Sequence, residues 1–177
     1  MKLTALPIKG LYLLEPRVFE DPRGWFYECF RSDVLAAEGL VTHFPQDNHS
    51  RSVQGTVRGL HFQSSPGQVK LVRCTLGAVW DVAVDIRPDS PTFGKWYGVE
   101  LSAENRRQFY IPLGFAHGFS VLSPVAEFQY KCSAYYDPKT ECGLRWNDPD
   151  LAVDWKVETP ILSDRDQKTP LFKEWRA

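Results

Sequence analysis

The stretch Val79-Trp80-Asp81-Val82-Ala83-Val84-Asp85-Ile86 decides the fold class. Its β-branched and aromatic content favours a strand, and strand side chains alternate between faces. Trp80, Val82, Val84 and Ile86 therefore share one face, which is apolar throughout. Asp81, Ala83 and Asp85 share the other, which cannot be a purely apolar core face.

Similar runs lie on either side. Gly24 to Arg31, Val69 to Leu76, Trp96 to Leu101, Arg107 to Ile111, Phe115 to Leu122 and Ala126 to Tyr136 all read as strands. Turn signals separate them: Asp21-Pro22-Arg23-Gly24, Ser65-Pro66-Gly67, Pro88-Asp89-Ser90-Pro91, Pro112-Leu113-Gly114, Asp137-Pro138 and Asp148-Pro149. One helix is expected, capped by Ser32 or Asp33 and ended by Gly39, with a second short helical turn starting at Ser163. Many closely spaced strands with few helices predict a sandwich or a barrel. With no repeat, low-complexity tract or linker in 177 residues, a single domain covering 1–177 is expected.

Two further strands place polar groups on apolar faces. Lys70 shares its face with Val72, Cys74 and Leu76, and Tyr130 shares its own with Phe128, Cys132 and Ala134. A lysine there sits at an edge, snorkels to water or is held inside for a purpose. Polar groups among apolar ones fit a barrel whose mouth holds a ligand.

Composition narrows the function. Twenty-one Lys and Arg against 22 Asp and Glu give a net charge of -1, which argues against a nucleic-acid coat or a basic membrane-docking surface. No apolar run approaches a bilayer span, and Lys2, Pro7, Lys9 and Glu15 interrupt any signal-peptide core. The cysteines at 29, 74, 132 and 142 form no CxxC pair, so free thiols in a reducing cytoplasm are expected. Metal-ligand spacing is absent as well: Gln63 stands where His61 would need a second histidine. Phosphate loops and a nucleophile elbow are likewise missing.

The histidines stay open on their own evidence. His61, in Arg58-Gly59-Leu60-His61, reads as a structural histidine or as a base beside a phosphate-binding arginine. His117, in Gly114-Phe115-Ala116-His117-Gly118-Phe119, reads as a packed ring or a ligand contact. Tyr135-Tyr136 reads as strand-end packing or as a platform for a nucleobase, and Asp164-Arg165-Asp166 as a solvated helix start.

Taken in order, the motifs resemble the dTDP-4-dehydrorhamnose 3,5-epimerase family over most of the chain. They run from Glu15-Pro16-Arg17-Val18-Phe19 through Gln46-Asp47-Asn48-His49-Ser50, Arg58-Gly59-Leu60-His61-Phe62-Gln63 and Lys70-Leu71-Val72-Arg73. Asp81-Val82-Ala83-Val84-Asp85, Ser90-Pro91-Thr92-Phe93-Gly94, Trp146-Asn147-Asp148 and Leu162-Ser163-Asp164-Arg165-Asp166 follow. The resemblance implies a mainly all-β, cupin-type jelly-roll barrel with a few short helices. It implies a homodimer with sites shared across the interface, a dTDP-sugar substrate and neither metal nor organic cofactor.

The implied chemistry is deprotonation beside a ketone. Carbons 3 and 5 of a 4-keto sugar are acidic because the carbanion delocalises onto the carbonyl oxygen. Such an enzyme needs a base, a partner for the enolate and an acid on the opposite face. By resemblance His61 is the base, Asp166 its carboxylate, Lys70 the enolate partner and Tyr130 the acid. Arg23 and Glu28 are implied to reach the ligand of a second copy. Gln46, Asp47, Asn48, Arg58, Asp81, His117, Glu141 and Arg165 are implied substrate-side residues, and Tyr135 stacks on thymine. Arg165 stands where the family commonly has lysine. Competing readings are an enzyme that inverts one carbon, a ketoisomerase, and a silent sugar-nucleotide-binding barrel.

Overall fold

The computed structural model describes residues 1–175. Thirteen strands carry the chain: β1 (Lys2–Ala5), β2 (Tyr12–Glu15), β3 (Val18–Asp21), β4 (Gly24–Tyr27), then, after helix α1 (Ser32–Ala37), β5 (Gln46–Val53), β6 (Val57–Gln63) and β7 (Lys70–Leu76). They continue with β8 (Ala78–Asp85), β9 (Trp96–Ser102), β10 (Gln108–Ile111), β11 (Phe115–Val121), β12 (Val125–Cys132) and β13 (Glu141–Gly143). Single 3₁₀ turns at Asp166–Lys168 and Phe172–Glu174 close the chain. No helix among the described residues is long and apolar enough to cross a membrane.

The strands form a cupin-type jelly roll. One sheet runs β1-β2-β10-β7-β12-β5 and the other β13-β6-β11-β8-β9, while β3 and β4 stand apart as a two-stranded arm. Ala126 and Phe128 of β12, Val72 and Cys74 of β7, and Phe109 and Ile111 of β10 meet Val79 and Ala83 of β8, and Phe115, Phe119 and Val121 of β11. Full burial of side chains like Phe109 and Phe128 contributes about 1.5–3 kcal/mol each.

Both outer faces are covered too. Leu14, Leu71 and Tyr110 pack under Leu35 of α1 on the six-stranded sheet. On the five-stranded sheet, Leu60, Phe62, Val82, Val84 and Ala116 pack under Leu144, Leu151 and Trp155 of the C-terminal segment. This layer settles how β8 is turned. Its wholly apolar face, with Val82 and Val84, lies beneath the C-terminal segment, and its acid-bearing face points into the barrel.

Several boundaries differ from the sequence reading. β4 stops at Tyr27 rather than Arg31, and β12 at Cys132 rather than Tyr136, where the chain leaves the sheet edge. Neither Ser32 nor Asp33 caps α1: Arg31 holds the N-cap position with no side-chain cap, and Asp33 pairs with Arg31 instead. Gly39 does end the helix, at φ 69°, donating its N–H to Ala36 O at 3.0 Å. The helical turn expected from Ser163 begins at Asp166, with Ser163 Oγ accepting the Asp166 N–H at 3.1 Å.

Candidate active site

The site is built across the barrel from β6, β7, β11, β12 and the C-terminal segment. A cavity of about 290 Å³ is lined by Arg58 and His61 of β6, Lys70 of β7, His117 of β11, Phe128 and Tyr130 of β12, and Ser163, Arg165 and Asp166.

Arg58 and His61 are three residues apart, which in a regular strand would point them to opposite faces. A bulge corrects this. On β11, His117 pairs with His61 and Phe119 pairs with Arg58, so one extra residue of β6 is absorbed between them. Both side chains then face inward. Gly59 makes the bulge possible, at φ 133°, because a Cβ there would lie 2.6 Å from Gly118 Cα. Gly118 is equally constrained, since its Cβ would sit 2.7 Å from Arg58 O.

His61 Nε2 lies 2.5 Å from Asp166 Oδ1. Burial works against the Asp166 carboxylate, but the His61 hydrogen bond and charge, with Ser163 and Arg165, outweigh it and hold its pKa below the usual value. Thr169 Oγ1 donates to Asp166 O at 3.1 Å, and Arg145 Nε donates to Thr169 O at 2.6 Å. The strand-like bridge of Ile161 to Thr56 anchors the same segment further back.

Lys70 is buried, and burial pushes its ammonium pKa down, with Cys132, Asp81 and Glu141 opposing that shift. Its Nζ donates to His61 O at 3.5 Å. Tyr130 is raised above the ordinary tyrosine range, chiefly by burial. A neutral phenol is the state a proton donor needs. The arrangement thus brings together a histidine with a carboxylate, a desolvated ammonium and a protonated phenol. It can take a proton from carbon, stabilise an oxyanion and return a proton.

Other expected residues ring this centre. Arg58 Nε donates to Ser52 Oγ at 3.0 Å. Gln46 Nε2 donates to Asn48 Oδ1 at 3.0 Å, and Gln46 Oε1 accepts the Tyr136 N–H at 2.8 Å. Glu141 takes Arg165 Nη1 at 2.7 Å and the Tyr136 hydroxyl on one oxygen. Its pKa lies below the usual range because Arg165 and Tyr136 outweigh its burial. Tyr135 is 72% exposed.

Four more of the implied residues lie outside the cavity lining. Asp81, grouped with the substrate-side residues, is fully buried beneath His117, so it reaches the cavity only through that ring. Asp47 lies on the opposite side of β5 from Gln46 and Asn48, as strand alternation requires, and pairs with Lys131 at 3.0 Å. Arg23 and Glu28 stand on or beside the arm, away from the cavity of their own chain, paired with Asp21 at 2.6 Å and Arg31 at 3.3 Å.

Sequence reasoning gave no site role to Ser50, Ser163 and Phe119, which also line the cavity, and it read Tyr136 as packing or a base platform rather than as the partner of Glu141. The two serines carry no signal of their own.

The comparisons agree with this geometry. The family model described as dTDP-4-dehydrorhamnose 3,5-epimerase matches residues 5–174. A dTDP-4-dehydrorhamnose 3,5-epimerase of Escherichia coli is 54% identical over 171 residues, covering 95% of this chain and 92% of its own. A dTDP-4-dehydrorhamnose 3-epimerase of Streptomyces niveus is 45% identical, covering 99% of this chain and 86% of its own. The crystal structure of a Legionella pneumophila epimerase in complex with dTDP-4-keto-L-rhamnose superposes with TM-score 0.94 at 49% identity, covering 97% of this chain and 93% of that one. The chain belongs to the dTDP-4-dehydrorhamnose 3,5-epimerase family.

Proposed function

We propose that this cavity inverts both carbon 3 and carbon 5 of dTDP-4-dehydro-6-deoxy-D-glucose, giving dTDP-4-dehydro-L-rhamnose. The observation that carries the proposal is the His61–Asp166 pair at 2.5 Å in one cavity with Lys70 and Tyr130.

Each inversion runs the same way. His61 takes the proton from the carbon next to the ketone, and the C–H electron pair moves into the ring as the carbonyl becomes an enolate. Asp166 steadies the resulting imidazolium, and Lys70 faces the negative oxygen, where a desolvated charge acts far more strongly than in water. Tyr130 returns a proton from the opposite face, and the carbonyl reforms with inverted configuration. Tyr130 recovers its proton from solvent, and His61 loses its own by the same route, so protons balance over the cycle. None of these steps changes an oxidation state.

For the nucleotide, Arg58 and Arg165 supply cationic donors suited to a diphosphate, and Tyr135 offers its face to the base. Arg23 and Glu28 serve the site of a second copy in a homodimer. The aromatic surface of the arm supports that reading, with Trp25 57% and Phe26 66% exposed. The family match over residues 5–174 supports a single catalytic domain, and the four free cysteines suit the cytoplasm.

A second reading is inversion of carbon 3 alone, because the Streptomyces niveus relative is named a 3-epimerase. Mass spectrometry of the sugar after turnover in D₂O decides between them. Deuterium at two ring positions is expected; deuterium at carbon 3 alone establishes the second reading, and none at all overturns both.

A further inference from the structure

Both carboxylate oxygens of Asp81 lie 3.0 Å from the same atom, His117 Nε2, and the carboxylate is wholly withdrawn from solvent. A buried charge is costly unless something compensates it. His117 is a weak counter-charge: burial pushes its pKa down, so near neutral pH the ring is uncharged and donates its Nε2–H to Asp81.

Lys70 shows the complementary condition. It is 9% exposed, and among the described residues its Nζ makes one hydrogen bond, at 3.5 Å, to a backbone carbonyl. It enters none of the ion pairs formed by its neighbours His61 and His117. The other groups around it are committed or neutral. On β6, His61 belongs to Asp166, and Arg58 is itself a cation. On β12, burial keeps both Cys132 and Tyr130 protonated. On β13, Glu141 is paired with Arg165 of the C-terminal segment. Asp81 is the carboxylate left over: burial pushes its pKa up, with His117 and then Lys70 opposing that shift, just as Asp81 opposes the downward shift of Lys70.

We infer that Asp81 is a positioning residue for the epimerisation: its negative charge keeps Lys70 an ammonium, while the His117 ring holds the carboxylate back so that the donors of Nζ stay free for the oxygen of the intermediate. A carboxylate in direct contact with Nζ would also keep the lysine charged. It would, however, occupy those donors and compete with the enolate for them. With both carboxylate oxygens engaged by His117, the attraction acts through a weakly screening interior and the hydrogen-bonding positions of Nζ remain open. This inference rests on Lys70 as the enolate partner.

Asp81→Asn tests it, because the amide oxygen still accepts from His117 while the charge is gone. The readout is deuterium uptake into the sugar against pH, which depends on proton abstraction and enolate support rather than on Tyr130. Without the anion Lys70 loses its proton more readily, so the alkaline limb should move about one unit to lower pH, a factor of about ten in charged lysine above the limb. The KM should stay within about twofold, since the nucleotide contacts lie elsewhere. A loss equal at every pH, with the limb unmoved, would mean that Asp81 only braces the strand.

Lys70→Met provides a second arm on the free protein, independent of turnover and of whether Asp81→Asn folds. Proton NMR should show the His117 imidazole titrating at higher pH once the neighbouring cation is removed. An unchanged His117 titration would overturn the coupling, whereas failure of the epimerisation reading would leave this measurement standing.

Discussion

His61 and His117 are direct partners across β6 and β11, and each directs Nε2 to a carboxylate of its own, Asp166 at 2.5 Å and Asp81 at 3.0 Å. Their surroundings set them apart. The His61 side chain is 28% exposed and open to the cavity, whereas that of His117 is 7% exposed over a fully buried acid. One constellation, placed at two depths in the same wall, gives a histidine free to exchange protons with a ligand and another held neutral by burial.

That difference supports the proposed proton-transfer roles, which two substitutions test. His61→Ala should lower both deuterium uptake and product formation by about 10²–10⁴-fold. Tyr130→Phe keeps the ring and its packing, so uptake should fall less than product formation, the carbanion regaining a proton on the face it left. The two rates are compared by mass spectrometry and by trapping product with a reductase, after circular dichroism confirms folding. Wild-type epimerisation by Tyr130→Phe would make that residue a packing tyrosine.

The proposed sharing of sites between two copies makes an arithmetic prediction. Arg23→Ala and His61→Ala homodimers should each be impaired. Mixed and reassociated in equal amounts, they should regain about a quarter of the wild-type sites, because half the dimers are hybrids with one intact site each. Activity no higher than the mean of the two parents would show that each chain completes its own site.

The bulge on β6 tolerates no side chain opposite it. Gly118→Ala would bring a Cβ to 2.7 Å from Arg58 O and 2.9 Å from the Trp155 ring, so β6 and β11 must spread. Overpacking of this kind costs about 1–3 kcal/mol. Thermal denaturation should show the lower Tm, with activity reduced beyond what the folded fraction explains, since Arg58 and His61 move with the strand. An unaltered Tm and rate would show that the strands have slack.

Asp85 should govern acid stability at the far end of β8. Arg87 Nε and Nη2 at 2.8 and 2.7 Å, with Ser90 and Thr92 hydroxyls both at 2.6 Å, surround its carboxylate. Burial opposes ionisation there, but these donors prevail and lower its pKa from 3.8 to about 2. A depressed carboxylate stabilises the fold above its unfolded pKa and loses that contribution as pH falls through the folded one. Asp85→Asn should therefore cost about 1.5–3 kcal/mol at pH 7. The gap in denaturation midpoints should narrow between pH 4 and 2; a gap constant with pH would assign the loss to shape rather than charge.

The sequence announced the strands whose two faces differ in polarity, and β8 most clearly. Its acids were legible as an anomaly, though not as the inner face. β5, reading Gln46-Asp47-Asn48-His49-Ser50-Arg51-Ser52-Val53, has almost no apolar alternation, because it is the edge strand of its sheet and most of its side chains stay exposed or half-buried. Nothing in periodicity marks it as a strand, so the sequence alone does not show that Asp47 faces away from Gln46 and Asn48. The approach of Asp166 to His61 is closed to local reading as well, since 105 residues separate them. Resemblance supplied that pair, and the structure supplied its geometry.

The 105-residue separation also sets an order of events. All strands of both sheets are complete by Gly143, so the barrel can close during synthesis while the segment bearing Asp166 is still inside the ribosome. His61 would meanwhile face the cavity without its carboxylate. The proposed catalytic pair waits for that segment, and a single proteolytic cut between Ile161 and Ser163 would sever it from the barrel while leaving the strands whole.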